Sequence, residues 1–339
     1  LDDRYSRQIL FAPVGKKGQS RIRRAHVLVI GAGALGTAIS DMLVRAGVGR
    51  LTLMDRDFVE WSNLQRQSLY TEEDARSRLP KVVAAERRLR QINADVRIEA
   101  RIADVTAAEL DEWVAEADVL MDATDNFETR LIMNDAACKH RKPWIYGACV
   151  GGYGMTFTIL PGETPCLSCL METVPMGGAT CDTAGIISPA VQIVASHQVT
   201  EALKLLVGDR DSLRGTLLAF DLWENRHHAM DVSRLKKEQC PSCGARAVHP
   251  YLDRSRQNRT TVLCGRDSVQ IRPMEAGRRD LESLTESLIR QGKEVISNPF
   301  LVSFVDGSFR LTVFRDGRVL VHGTRDPAVA RSICHRYLG

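Results

Sequence analysis
Residues 25–57 read AHVLVIGAGALGTAISDMLVRAGVGRLTLMDRD, and they decide the fold. Residues 26–30 are a short apolar run of the kind a buried strand makes. Gly31, Gly33 and Gly36 form a G-x-G-x-x-G turn. Leu35, Ile39, Met42, Leu43 and Ala46 then recur at helical spacing, and a second apolar run over residues 51–54 ends at Asp55. The order is strand, tight turn, helix, strand, which is half of a nucleotide-binding fold. Glycines let the backbone approach a phosphate, and a helix N-terminus offers free N–H groups and the positive end of a dipole. Asp55 stands where such folds accept hydrogen bonds from a ribose. Three glycines could also serve close packing alone; the strand before them, the helix after them and the acid at the next strand end favour a ligand. NAD is the commoner occupant of such a turn, so the rest of the chain must discriminate between nucleotides.

At 339 residues the chain can form one large domain or two smaller ones. Its 44% hydrophobic and 26% charged content is that of a globular protein. A net charge of +4 makes no case for nucleic acid or a membrane surface as partner. No stretch reaches the apolar length of a membrane span, and the opening residues LDDRYSRQIL lack a signal-peptide pattern. A cytoplasmic protein is expected. The nine cysteines are odd in number and not in a secretory context, which argues against a disulfide framework.

Residues 1–24 are polar and basic. After Asp57 the connection Phe-Val-Glu-Trp-Ser-Asn63-Leu-Gln-Arg66-Gln67 is more polar than a plain link to a helix requires. Pro80 opens a helix running to Gln91, with the proline at a tolerated first-turn position. Residues 96–102 alternate as a strand, 106–116 predict a helix, 117–123 a buried strand, 127–140 a helix and 144–148 a strand. Such alternation implies a largely parallel sheet covered on both faces. Residues 154–160, GMTFTIL, follow with no intervening helix, so the sheet is expected to continue antiparallel. Residues 161–187 read as a long loop, of the kind that is usually functional. Ser188 and Pro189 read as N-cap and first turn of a helix to Val207. Strands are expected at 216–221 and 228–232.

The first domain is expected to close at residue 244, with a basic linker over 245–259 and a smaller α+β unit over 260–339. There, strands are expected at 260–263, 268–271, 300–305, 309–314 and 318–322, and helices at 281–290 and from Asp326-Pro327 to Tyr337. Asp306-Gly307 and Asp316-Gly317 mark hairpins. The whole reads as an α/β fold: a Rossmann-like nucleotide-binding sheet, parallel in its first half and antiparallel in its continuation, with a small C-terminal α+β unit. There are no internal repeats.

Two constellations carry chemistry. Cys166-x-x-Cys169 and Cys240-x-x-Cys243 are two knuckles whose four thiolates suit a closed, structural, tetrahedral zinc site. A redox pair or four unliganded thiols is the alternative. Asp55, Asp57, Asn63, Arg66, Lys81, Asp125 and Arg130 all lie on or just after connections that follow strand ends, where ligands bind in open α/β sheets. Singly, each suits a solvated surface. Together they bring more cation than a dinucleotide needs, and they suit a triphosphate, with a carboxylate left for Mg²⁺. There is no G-x-x-x-x-G-K-[ST], so this is not a P-loop.

GAGALG, MDRD, NLQRQ, PK, ATDN and the paired C-x-x-C motifs, in that order, resemble the ubiquitin-activating-enzyme superfamily, and within it the MoeB/ThiF-type adenylyltransferases. The likeness spans about residues 4–244. It implies an enzyme that uses ATP and Mg²⁺ to adenylate the C-terminal glycine of a ubiquitin-like sulfur-carrier protein of MoaD or ThiS type, in molybdopterin or thiamine synthesis. It implies that Gly31, Gly33 and Gly36 lie against the phosphates and that Asp55 holds the ribose. Asn63, Arg66 and Lys81 would hold phosphates, and Asp125 would hold Mg²⁺. Arg7, in YSRQ, would reach into a partner subunit's site, which implies a homodimer. Cys181 falls where relatives carry a cysteine linked to sulfur transfer; a structural role is equally consistent, since nothing adjacent in sequence lowers its pKa. Residues 260–339 lie outside the likeness and suit a structural role or docking of the carrier or of a sulfur donor such as a cysteine desulfurase. Two other readings compete. An NAD-dependent oxidoreductase shares the glycine turn but leaves Arg66, Lys81 and the knuckles without work. A non-catalytic adaptor for a ubiquitin-like protein has no need of Asp55, Arg66, Lys81 and Asp125 together.

Overall fold
The computed structural model describes residues 3–174, 184–253, 260–262, 267–272 and 278–338. The chain divides into two compact units. One comprises Leu1–Thr71 and Pro80–Ser255, the other Glu72–Leu79 and Arg256–Gly339.

The first unit opens with helices α1 (Ser6–Leu10) and α2 (Gly15–Ile22), then strand β1 (His26–Ile30), helix α3 (Ala34–Ala46) and strand β2 (Arg50–Asp55). Helix α4 (Glu72–Arg76) belongs to the second unit. The first resumes with α5 (Lys81–Ile92), β3 (Arg97–Ile102), α6 (Ala107–Glu116), β4 (Val119–Asp122), α7 (Phe127–His140), β5 (Trp144–Val150) and β6 (Tyr153–Ile159). It ends with α8 (Leu167–Met171), α9 (Ser188–Val207), β7 (Leu217–Asp221) and β8 (Arg226–Met230). The sheet order is β3-β2-β1-β4-β5-β6-β7-β8.

From β3 to β5 the pairs are parallel. The strands β1 and β4 are buried along their whole length, as parallel strands covered on both faces must be. From β5 onward the pairs are antiparallel. The cause is local: two glycines, Gly151 and Gly152, separate β5 from β6, with Gly151 at a φ of +60°. So short a link makes a hairpin and leaves no room for a crossover helix. The edge strand β8, RHHAM, is exposed at every residue and polar, a composition that discourages unwanted pairing.

Helix α9 packs on α2, α3, β5 and β6. Helices α6 and α7 pack on each other over a core containing Leu28, Ile30, Leu120, Met133, Trp144 and Tyr146. Two expected caps shift by one position. Pro80 is itself the N-cap of α5, and Ile187, not Ser188, precedes the first turn of α9.

The second unit is a six-stranded sheet in the order β11-β12-β13-β14-β10-β9. Its strands are β9 (Thr260–Val262), β10 (Ser268–Ile271), β11 (Val295–Ser297), β12 (Leu301–Asp306), β13 (Phe309–Phe314) and β14 (Val319–His322). Its pairs are antiparallel. The hairpins fall at Gly307 and Gly317, both at positive φ. Helices α10 (Leu281–Arg290) and α11 (Pro327–Leu338) supply Leu288 and Ile333 to a core with Val302, Phe304, Leu311, Val313 and Val321. No sequence pattern marks β11, whose three residues are too few to show alternation. No described helix is long and apolar enough to cross a membrane.

Candidate nucleotide site and cysteine cluster
The chain leaves β1 toward β2 on one side, while β4 lies on the other. The direction of winding therefore reverses at β1, which opens a crevice beyond the carboxyl ends of the strands. The glycine turn floors it. A Cβ on Gly31, whose φ is +99°, would lie 2.3 Å from the Ala123 carbonyl oxygen. One on Gly36 would lie 1.9 Å from the Gly31 carbonyl oxygen. These two glycines are consumed by the fold, one joining the turn to β4 and one seating α3 on it. Gly33 differs. It caps α3, and a Cβ there would meet nothing nearer than Gln67 Nε2 at 3.9 Å. Gly33 is thus the one of the three that packing does not require, and it stands at a helix N-terminus, the kind of position that receives an anion.

Asp55 holds this turn from the end of β2. One carboxylate oxygen accepts from Ala32 N at 2.7 Å and the other from Asp57 N at 2.7 Å. Each oxygen retains a second lone pair for a ligand hydroxyl. The buried Tyr70 donates its hydroxyl to the Ala32 carbonyl at 2.5 Å.

Lys81 is 4% exposed and is the first residue of α5, whose first turn holds no acid. Its Nζ lies 3.5 Å from Asp57 Oδ2, its one ion-pair partner among the described residues. Asn63 is buried, and its Oδ1 accepts from Glu60 N at 3.0 Å in a capping box that rigidifies the short turn Trp61–Asn63. Arg66 is half-buried and donates to the Ser62 carbonyl at 2.8 Å. Arg56 donates to Asp104 at 3.0 Å. Burial works against its charge, but Asp57, Asp104 and Asp125 more than offset it and raise its pKa above the ordinary value. Arg56 lies 3.9 Å from Asp57, and the exposed Asp125 is near enough for its charge to be felt there.

Arg130 does not join this group. It is buried, and its guanidinium pairs with Asp122 at 2.9 Å while donating to the carbonyls of Thr124 at 2.7 Å and Gly147 at 2.9 Å. Asp122 Oδ1 accepts in turn from the Thr124 amide and hydroxyl. Arg130 therefore braces the loop that carries Asp125. Burial opposes its charge too, and Asp122 more than compensates, so its pKa rises.

Arg7 lies away from the crevice within one chain. Helix α1 is moored by Gln8 to the Ala46 carbonyl at the last residue of α3, about 20 Å along that helix from Gly33. Arg7 itself is exposed. Cys181 lies outside the described residues. Gln67, near Gly33, and Tyr70, bonded to Ala32, adjoin the glycine turn, and Asp122 anchors Arg130; the sequence analysis singles out none of the three. For Gln67 and Tyr70 the available signal was their place in the polar stretch after Asp57.

The four knuckle cysteines converge, their Sγ atoms all within 4.8 Å of one another. Cys166 lies 3.8 Å from Cys169 and 3.7 Å from Cys240, and Cys169 lies 3.6 Å from Cys243. Four thiolates about 2.3 Å from a tetrahedral ion stand about 3.8 Å apart, so the cluster could hold a metal. It joins α8 to the segment after β8.

The fold is a Rossmann-like α/β sheet, and the contacts Lys81–Asp57, Asp57 N–Asp55 and Ala32 N–Asp55 join the buried lysine to the glycine turn. The sequence pattern of the ThiF family matches residues 5–242. The chain belongs to that family. It is 54% identical over 339 residues, all of both chains, to the sulfur carrier protein ThiS adenylyltransferase of Bacillus subtilis (strain 168). It is 36% identical over 243 residues to the molybdopterin-synthase adenylyltransferase of Escherichia coli (strain K12), covering 71% of this chain and 96% of that one. The crystal structure of E. coli MccB with succinimide shares the fold, with a TM-score of 0.62 at 22% identity over 71% of this chain and 74% of that one.

Proposed function
We propose that the chain is an adenylyltransferase that uses ATP to activate the C-terminal glycine of a ubiquitin-like sulfur-carrier protein. The likeness along all of the chain to a relative named for ThiS favours a ThiS-type carrier over a MoaD-type one. The observation that carries the reading is the buried Lys81 ammonium at a helix N-terminus, in the same crevice as the open Gly33. Hydride transfer has no use for that cation. Cleavage of a triphosphate does.

In the reaction a carboxylate oxygen of the carrier's terminal glycine attacks the α-phosphorus. The bond from that phosphorus to the α–β bridging oxygen breaks, and pyrophosphate leaves with the electron pair. The nucleophile is already ionised at neutral pH, so no base is needed. The barrier lies in bringing an anion to a polyanion, and fixed cations lower it. Lys81, Arg66 and Asn63 would hold the phosphates, Gly33 and the start of α3 would receive one of them, and Asp55 would bind the ribose. Asp57 would orient Lys81. The exposed Asp125 carboxylate is the hard oxygen donor that Mg²⁺ takes, and the ion would neutralise phosphate charge there. The four cysteines would hold a structural Zn²⁺.

The exposed Arg7 can serve a crevice if a second copy presents it, and we infer a homodimer. Cys181 and a sulfur donor such as a cysteine desulfurase would belong to the later delivery of sulfur. The odd number of cysteines argues against a disulfide framework, and the cytoplasm is the place of action we infer.

The test is carrier-dependent exchange of labelled pyrophosphate into ATP. Arg66→Ala and Lys81→Met should each lower exchange by about 10²–10³-fold, by analogy with loss of one oxyanion donor, while circular dichroism stays that of the wild type. Near-normal exchange in either variant would remove that residue from the mechanism.

A further inference from the structure
The two knuckles read Cys166-Leu-Ser-Cys169 and Cys240-Pro-Ser-Cys243, so each carries a serine just before its second cysteine. The fold brings the serines together as well as the cysteines. Ser168 Oγ lies 2.9 Å from Ser242 Oγ. The two hydroxyls meet across 74 positions, the same offset as the contacts Cys166–Cys240 and Cys169–Cys243. The knuckles thus pair residue for residue, and one of the bonds between them involves no sulfur.

Two adjacent residues of α7, Asn134 and Asp135, hold the ends of that bond, and both are fully buried. Asn134 Oδ1 accepts from Leu167 N of the first knuckle at 2.9 Å, and its Nδ2 donates to Ser168 Oγ at 3.4 Å. Asp135 accepts from the Ser242 hydroxyl of the second knuckle. Its Oδ2 also accepts from Tyr251 N at 2.8 Å. The directions agree along the whole chain: Asn134 donates to Ser168, Ser168 to Ser242, and Ser242 to Asp135. Each hydroxyl therefore has both a donor and an acceptor, as buried polar groups require. The second knuckle is also closed by its own backbone, where Gly244 N donates to the Cys240 carbonyl at 2.9 Å.

We propose that Ser168 and Ser242 are positioning residues for the metal of the four-cysteine cluster. Their hydrogen bond, anchored on Asn134 and Asp135, holds the two knuckles at the spacing zinc takes before the ion arrives. Two loops that must be drawn together by the ion lose chain entropy at its expense, and a bond already made removes that cost. Neither serine is a ligand. The inference rests on the reading of the four cysteines as a zinc site.

Ser242→Ala removes the hydroxyl that reaches both Ser168 and Asp135 and adds no bulk. In the full chain, zinc affinity, read by competition with a chromophoric chelator, should fall about 10–100-fold, the scale of losing an outer-shell partner. Ser168→Ala should act alike, and it carries the test alone if Ser242→Ala does not fold. The double variant should lose less than the product of the two single losses, because both changes break one bond. The melting temperature should fall further in the zinc-loaded variant than in the zinc-free one, as linkage to affinity demands. Equal falls in the two states with wild-type zinc affinity are the mark of packing alone and overturn the proposal, as do single losses that multiply in full. A wild type that takes up no zinc fails at the earlier reading of the cysteines and ends the proposal with it.

Discussion
Lys81 is badly placed for stability and well placed for work. Its ammonium is buried, stands at the positive end of the α5 dipole, and reaches its one described ion-pair partner at 3.5 Å. In the proposed reaction a bound polyphosphate would add counter-charge to that of Asp57. The three glycines separate in the same way. Gly33→Ala adds a methyl in open space, so the melting temperature should hold while ATP affinity drops in a binding titration. Gly36→Ala forces a methyl against the Gly31 carbonyl and should cost about 3 kcal/mol or more, read as a lower melting temperature. Equal melting of the two variants would contradict this division of labour. The spacing of the glycines was legible in the sequence, but which of them faces a ligand was not, because that depends on Ala123 and Gln67 from other elements. Arg130 was grouped with the ligand-facing charges for the same reason. Its partner Asp122 is eight residues earlier and on a strand, a separation that no helical pattern reveals.

At the scale of elements, the connection from β2 to α5 carries Asn63 and Arg66, the proposed phosphate ligands, and the segment after β6 supplies two of the four clustered cysteines. Strands of the first unit were readable because buried parallel strands are continuous apolar runs, and helices such as α5 because one side of each is apolar. The antiparallel turn after β5 was readable from the lack of a helix between 148 and 154. The caps were displaced by one residue, since capping depends on backbone angles that residue type only biases. The cysteine clip was legible from its two knuckles even though 74 positions separate Cys166 from Cys240, because each C-x-x-C keeps its own local spacing. Cys240→Ser with Cys243→Ser should abolish zinc, measured by plasma emission spectrometry on the purified protein, and lower the melting temperature. Zinc content equal to that of the wild type would refute the assignment.

At the scale of the molecule, each of the two units is assembled from two separate stretches of chain. Residues 72–79 and 256–339 form one unit although residues 80–255 lie between them in the chain. No sequence pattern announces this, for Asn298 and Ser77 meet across 221 positions. The C-terminal sheet itself was legible from its Asp-Gly hairpins, while its purpose was not, as it carries no clustered catalytic set. The central claim concerns the whole molecule acting on another protein, and one measurement reaches it directly. The protein is mixed with ATP, Mg²⁺ and either a ThiS-type or a MoaD-type carrier, and the carrier is weighed by mass spectrometry. An added adenylate on the intact carrier, lost when its terminal glycine is removed, is the predicted result. Unmodified carriers of both types, with ATP left whole, would contradict the account.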